Sequence, residues 1–411
     1  MTTGKHLFTQ TISSPLRIAV VSETYPPDVN GVAVTVAGMV GGMRQRGHYV
    51  HLVRLRHHKR DVAVQEEGYA ETLVSGIPLP GCHEWKIGMP ARNRLLRQWQ
   101  LQRPDIVHIA TEGPLGWSAM HAARKLGIPV ATNSFYSHLH NVSQHHGTAL
   151  LSNCIASYLR NFHNKADCTM VSTVDMQKHL QQAGYKNVEM VTRGIDTELF
   201  HPRKRSEALR QQWGADVDTP VVVLVSRLTE EKNLQVVINA FEQMQVIIGD
   251  AKLVMVGDGP ARARLQKQYP QIVFAGMRTG EDLAEHYASG DVFLYPSLTE
   301  SYGSVTVEAM ASGLAVLAYD YAAARQYIRH DVNGLLAPFN DTDAFFRQAI
   351  ALIQIPDRIQ RLRNRARLAV EPMAWANVAG KVERLLLNIV YSKGAKHDQT
   401  ELSPERQVAK I

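Results

Sequence analysis

Short runs of β-branched and apolar residues alternate along nearly the whole chain with segments whose apolar positions recur every three or four residues. RIAVVS (17–22), DIVHIA (105–110), PVATN (129–133) and CTMVS (168–172) have the length and the unbroken apolar character of strands buried on both faces. Between them GWSAMHAARKLG and SYLRNFHNKA have the period of helices. The pattern then restarts with PVVVLVSR (220–227), KLVMVG (252–257), QIVFAG (271–276), DVFLYPS (291–297) and LAVLAYD (314–320). The helices NLQVVINAFEQMQ, ARARLQKQY and EDLAEHYAS fall between these. Strand–helix alternation predicts an α/β protein with parallel sheets and helices on both faces.

The alternation breaks at ELFHPRKRSEALR (198–210), where Pro202 and a basic polar run intervene. This divides the chain into two Rossmann-like, doubly wound domains, 1–197 and 198–373, as expected for 411 residues. Beyond Pro372, MAWANVAGKVERLLLNIVYS predicts an amphipathic helix over about 374–392, and the polar stretch 393–411 reads as a disordered tail.

Composition adds a compartment and a charge pattern. Cys82, Cys154 and Cys168 stand far apart, without CxxC, which fits neither a disulfide framework nor a zinc site and suits a reducing environment. With no apolar leader and no run of 18 apolar residues, the expected location is cytoplasmic, with attachment to an inner membrane face as an option. The net charge is +7, but the run between Arg44 and Arg60 holds six Lys/Arg, four His and no acid, and 86–103, including Arg92 to Arg103, is also free of acids. These read either as solvated faces or as an attraction to anionic lipid. Neither run has the motif or interleaved aromatics of a nucleic-acid-binding surface.

In doubly wound sheets ligands bind beyond the carboxyl ends of the strands, so the strand-end loops hold the candidate chemistry. In ESYGSVTVEAM, Glu300 and Glu308 are eight positions apart. In a continuous helix that step rotates the side chain by roughly 80°, so a turn must separate the pair. A helix starting near Gly303 or Ser304, with Ser304 as N-cap and Gly313 as stop, leaves Glu300 in the loop and Glu308 one turn inside. Its free amides favour phosphate, and the glutamates can accept from hydroxyls on either side, the chemistry of a nucleotide sugar. In SRLTEEKNL, Arg227 and Lys232 stand across a turn and can either hold a diphosphate or pair with Glu230 and Glu231. Gly31, after a Pro-rich loop, opens a helix where backbone can approach phosphate. In VGDGPARA, Arg262 stands where a dinucleotide fingerprint needs glycine, and the Asp-x-Asp pairs at 216–218 and 341–343 read as a polar loop and a helix cap rather than metal ligands.

ESYGSVTVEAM, SRLTEEKNL and the glycine-bearing loop after the first strand together resemble the retaining glycosyltransferases of family 4. NGVAVT, ATEGPLGWSA, TRGIDTELFHP and FAGMRTGEDLAEHYASGDVFLYPS resemble its branch of bacterial α-mannosyltransferases and glycolipid glycosyltransferases. The resemblance covers about residues 16–390. It implies a GT-B fold, two facing Rossmann-like domains with an interdomain cleft, and a terminal helix around Trp375 that crosses back to the N-terminal domain. It implies transfer of a hexose, mannose or glucose, from a nucleotide sugar to a lipid or glycan, with no metal or other cofactor. Glu308 would bind the ribose, and Glu300 the donor sugar near its anomeric carbon. Ser301, Tyr302, Gly303, Ser304 and Val305 would line sugar and phosphates, and Arg227 and Lys232 would neutralise the leaving diphosphate. Gly31 would let the N-terminal domain close, and Met277 and Arg278 fall in the loop that contacts the base. One departure stands out: in SFYSHLHNVSQHHG, Tyr136 occupies the place of the family's sugar-contacting histidine, and His138 lies two residues later. A nucleotide-sugar epimerase or hydrolase on the same architecture is the alternative reading.

Overall fold

The computed structural model describes residues 15–28, 30–79, 82–134, 149–300, 302–355 and 357–401. Strands β1 (Arg17–Ser22), β2 (Tyr49–Leu55), β3 (Gln65–Glu66) and β4 (Tyr69–Val74) precede an antiparallel pair, β5 (Gly76–Leu79) with β6 (Cys82–Gly88). Strands β7 (Ile106–Ile109), β8 (Val130–Asn133), β9 (Cys168–Val171) and β10 (Val188–Met190) complete an eight-stranded sheet ordered β10-β9-β8-β7-β1-β2-β4-β3. β1 runs parallel to both β2 and β7.

A second sheet holds β11 (Val221–Val225), β12 (Lys252–Val256), β13 (Val273–Gly276), β14 (Val292–Tyr295), β15 (Ala315–Tyr319) and β16 (Leu335–Ala337). Its order is β13-β12-β11-β14-β15-β16 with parallel pairing throughout. Helices cover both faces, which is why VVVLV and AVLAY are apolar at every position and buried at every position. The chain order reverses between β11 and β14, the switch point at which doubly wound sheets hold ligands in a crevice beyond the strand ends. By their internal contacts the described residues form two compact units, one within 15–133, 162–169 and 383–401, the other within 134, 149–161 and 170–382.

Strand β2 is absent from the elements expected from local pattern, because YVHLVRL lies inside the basic run between Arg44 and Arg60. That run is not one solvated face. His48, His51 and Arg54 are buried, and each has a partner that offsets its desolvation. His48 accepts from the Leu16 amide at 3.0 Å, His51 meets Thr72 Oγ1 at 2.9 Å, and Arg54 pairs with Asp61 at 2.7 Å and Glu71 at 2.8 Å. Exposed cations of the run remain at Arg44, Arg46, Arg56, Lys59 and Arg60. In the second run, helix Arg92–Leu101 buries Leu95 and Trp99 and exposes Arg92, Arg94 and Arg97, with Leu101 87% exposed.

The terminal helix spans Trp375–Glu401, beyond the expected end at 392; no proline interrupts the chain between Trp375 and Glu401. Its Glu383 accepts from the buried His48 at 2.9 Å and pairs with Arg46. At its start, Gly194 is obligatory: a Cβ there would lie 2.4 Å from the Trp375 indole. Among the described residues no helix is long and apolar enough to cross a membrane.

Candidate active site

The crevice between β11 and β14 is where the two sequence motifs meet. β11 delivers a turn, Glu230–Lys232, that leads into helix Leu234–Ile248. β14 delivers the loop to helix Ser304–Ala311. Backbone and amide bonds lace the two loops together, Leu298 N to Glu231 O at 3.0 Å and Asn233 Nδ2 to Pro296 O at 3.0 Å.

Lys232 and Glu300, 68 positions apart in sequence, form a largely buried ion pair at 2.6 Å. The ammonium also donates to Ser297 Oγ at 3.2 Å and to Thr299 O at 2.9 Å, so each of its three protons has an acceptor. Ser297 Oγ donates to Glu300 Oε1 at 2.9 Å, and the buried Tyr295 hydroxyl donates to the same oxygen. Tyr321 reaches the Glu300 carbonyl at 3.3 Å. A hollow lined by Ser297, Glu300, Thr306, Tyr321 and Ala323 opens beside this pair.

The helix begins at Ser304, as expected, but its cap falls one residue earlier than expected. Its N-cap is Gly303, not Ser304, because the chain enters with φ +90°, a left-handed conformation that glycine adopts without strain. Among the described residues no side chain caps the first amides, and Ser304 and Val305 lie in the first turn. Gly313, at φ +75°, closes the helix end as expected. Glu308, one turn inside, accepts from the fully buried Tyr287 hydroxyl at 2.8 Å. Burial pushes its carboxyl up to about 7, with the Tyr287 bond opposing the rise.

Behind Tyr302 lies Arg193, buried, with its guanidinium 5.0 Å from the Tyr302 ring and Nε donating to Ser172 Oγ at 3.2 Å. Burial lowers it to about 10, against the stabilising field of Tyr302 and Glu300. Arg227 is exposed and pairs with Glu231 at 3.3 Å, apart from the Lys232 network. Met277 is 56% exposed, and Arg278 donates to Ala275 O and pairs with Asp282 at 2.9 Å. Gly31 opens helix Gly31–Gln45 in the other compact unit, capped by Asn30. Tyr136, His138 and Ser301 lie outside the described residues.

Two motifs that the sequence argued against as ligand sites have structural explanations. Gly257 and Gly259 of VGDGPARA sit where a Cβ would meet Ser226 O at 1.9 Å and Leu228 O at 2.5 Å, so the glycines serve strand-end packing. Asp341 caps helix Thr342–Gln354 through the Ala344 amide at 2.8 Å. Tyr287, Tyr295, Ser297 and Arg193 are site residues that sequence reasoning missed. The available signal was the two tyrosines near the ends of the helical EDLAEHYAS and the strand DVFLYPS, since a buried phenol usually finds an acceptor.

Residues 29–199 match the family model described as Glycosyltransferase Family 4, and residues 205–369 match Glycosyl transferases group 1. The chain is 32% identical over 375 residues to a GDP-mannose-dependent alpha-mannosyltransferase of Mycobacterium tuberculosis, covering 89% of this chain and 95% of that one. It is 24% identical over 413 residues to the alpha-monoglucosyldiacylglycerol synthase of Acholeplasma laidlawii, covering 93% and 99%. Among solved structures, the sucrose-phosphate synthase of Thermosynechococcus elongatus superimposes with a TM-score of 0.73 at 17% identity, covering 92% of this chain and all of that one. Sheets, crevice and these likenesses agree: the chain is a nucleotide-sugar-dependent glycosyltransferase of family 4, with the GT-B fold.

Proposed function

We propose that this enzyme is a retaining hexosyltransferase that moves mannose or glucose from a nucleotide sugar to a lipid or glycan acceptor without a metal ion. The observation that supports it best is the Lys232–Glu300 pair beside an uncapped helix N-terminus at the switch point of the second sheet. One cation, one carboxylate and a row of free amides are the groups that a sugar diphosphate needs.

In this reading Glu308 accepts from the ribose hydroxyls and Glu300 from the donor sugar. The diphosphate lies against the amides of Ser304 and Val305. Lys232 turns toward it, giving up a hydrogen bond that it now donates to Ser297 or Thr299, and Arg227 leaves Glu231 to add a second charge. Met277 and Arg278 border the base. The bond from the anomeric carbon to the leaving phosphate oxygen breaks as the acceptor oxygen bonds the same face, and the acceptor proton passes to that phosphate. Negative charge grows on the departing group, so Lys232 and the amides bind the transition state more strongly than the ground state. The Acholeplasma laidlawii relative is named for a glucosyldiacylglycerol, which favours a lipid-linked acceptor here. Exposed Arg92, Arg94 and Arg97 would then meet an anionic lipid surface.

A thermal-shift panel of GDP, UDP, GDP-mannose and UDP-glucose without metal tests the reading. A ligand at 100 times its Kd stabilises by about 2.7 kcal/mol, roughly 5–10 °C here. Glu300→Ala and Lys232→Ala should each abolish transfer; near-normal turnover in either removes this site from the reaction. Donor consumption that needs no acceptor would favour a hydrolase or epimerase instead.

A further inference from the structure

We infer that Tyr295 and Tyr287 are positioning residues, each fixing one carboxylate oxygen of a glutamate so that the other oxygen is left for the ligand. The inference rests on the reading of Glu300 and Glu308 as donor-binding groups and concerns what holds them.

Among the described residues three side chains donate to the Glu300 carboxylate, Lys232, Ser297 and Tyr295, and all converge on Oε1. Among the described residues, none donates to Oε2. Glu308 repeats the arrangement, with Tyr287 donating to Oε2 and no described residue donating to Oε1. A carboxylate turns easily about its terminal bond, since that torsion is broad and two-fold. Anchoring one oxygen removes this freedom and aims the other.

The two phenols suit the task because their own rings cannot move. Tyr287 is 0% and Tyr295 5% exposed, and Phe293 lies between them, with ring centroids 5.9 Å from Tyr287 and 5.5 Å from Tyr295. This column packs on the second sheet's core, so the hydroxyls are held by rigid elements rather than by the loops that bear ligand groups. Phenylalanine would fill the same space equally well, and it would leave each carboxylate without its hydroxyl. The hydroxyls therefore serve the glutamates rather than the packing.

The two tyrosines support different subsites and should fail differently. Tyr295→Phe loosens Glu300, next to the reacting carbon, so kcat should fall about 30-fold with a smaller change in affinity for GDP or UDP. Tyr287→Phe loosens Glu308, which faces the ribose, so nucleotide affinity should weaken about tenfold and the donor KM should rise in step, with a smaller fall in kcat.

The experiment is a set of titrations with GDP and UDP, and of turnover with GDP-mannose and UDP-glucose, on the wild type, Tyr287→Phe, Tyr295→Phe, Glu308→Gln and the Tyr287→Phe/Glu308→Gln pair. Melting curves confirm that each variant is folded. In the Glu308→Gln background the phenol can still donate to the amide oxygen but no longer positions a charge, so the Tyr287→Phe loss should shrink several-fold; an undiminished loss there would mean that the phenol does not act through the carboxylate and overturns the proposal. So would wild-type kcat in Tyr295→Phe together with wild-type nucleotide affinity in Tyr287→Phe. If the wild type binds neither nucleotide, or Glu308→Gln binds as well as the wild type, the donor-site reading itself falls, and the proposal with it.

Discussion

Among single residues, Glu308 makes the protein sensitive to pH near neutrality. Its carboxyl titrates at about 7 when folded, because burial disfavours the charge, against an ordinary value of 4.5. The folded state therefore holds a proton that the unfolded chain has lost between those values. The stability this provides is complete below pH 4.5 and is lost as pH rises through 7. Between pH 5 and 8 the wild type should lose up to about 3 kcal/mol more than Glu308→Gln, as measured by unfolding at each pH. Glu23 is also raised to about 7 by burial, but it is common to both proteins and cancels in the comparison. The ligand sees the opposite trend. If ribose hydroxyls donate to ionised Glu308, nucleotide affinity should be about tenfold weaker at pH 6 than at pH 8.

Ala322 is a second residue whose backbone speaks for itself. It has φ +50°, a conformation that costs a side-chain-bearing residue about 1–2 kcal/mol, at the start of the helix that succeeds β15. Ala322→Gly should relieve that cost, less the greater freedom of glycine in the unfolded chain. A gain of roughly 0.5–1 kcal/mol, about 2 °C in melting temperature, is expected. A lower melting temperature would show that the alanine methyl makes contacts worth more than the strain.

Between elements, buried charge fixes the base of the second sheet. Asp291, at the start of β14, receives Arg363 at 2.8 Å, Arg205 at 3.1 Å, Arg210 at 3.2 Å and the Val221 amide at 2.9 Å. It thereby joins helix Glu207–Gln212, helix Arg358–Val370 and the two central strands. Arg210 is fully buried and also donates to the carbonyls of Asp216, Thr219 and Ser289. Removing the carboxylate leaves Arg363 without its counter-charge and the buried Arg210 with Glu207 alone, a change that costs about 3–5 kcal/mol in a buried pair. Asp291→Asn should therefore lower the melting temperature by about 10 °C. A shift within 1–2 °C would mean that water already compensates these arginines.

For the molecule as a whole, the question is where the acceptor is met. Helix Arg92–Leu101 turns a basic face with an exposed leucine outward, and such a face gains about 1 kcal/mol per cation at an anionic bilayer. Sedimentation with phosphatidylglycerol vesicles should be lost at high salt, and Arg92→Glu/Arg97→Glu should weaken it at least tenfold at low salt. Equal binding to neutral phosphatidylcholine vesicles would remove the electrostatic explanation.

Local pattern was enough for the α/β class, nearly every strand of the second sheet, the helix after Glu300 and the candidacy of Arg227, Lys232, Glu300 and Glu308. It was enough because strands buried on both faces are apolar without interruption, and because a loop that serves a ligand departs from that pattern within a few residues. Strands β2 to β6, β10 and β16 came from the folded chain alone, and so did the cap and the pairings of the site. β2 escaped notice because its polar residues are matched by partners up to 47 positions away, which local periodicity cannot register. The cap fell on Gly303 because the chain's direction into the helix requires a positive φ. The pairing of Lys232 with Glu300, and of each glutamate with its tyrosine, arises from the order β11-β14, which brings distant strand ends side by side. Local spacing fixes what a loop can offer; sheet order fixes what it meets.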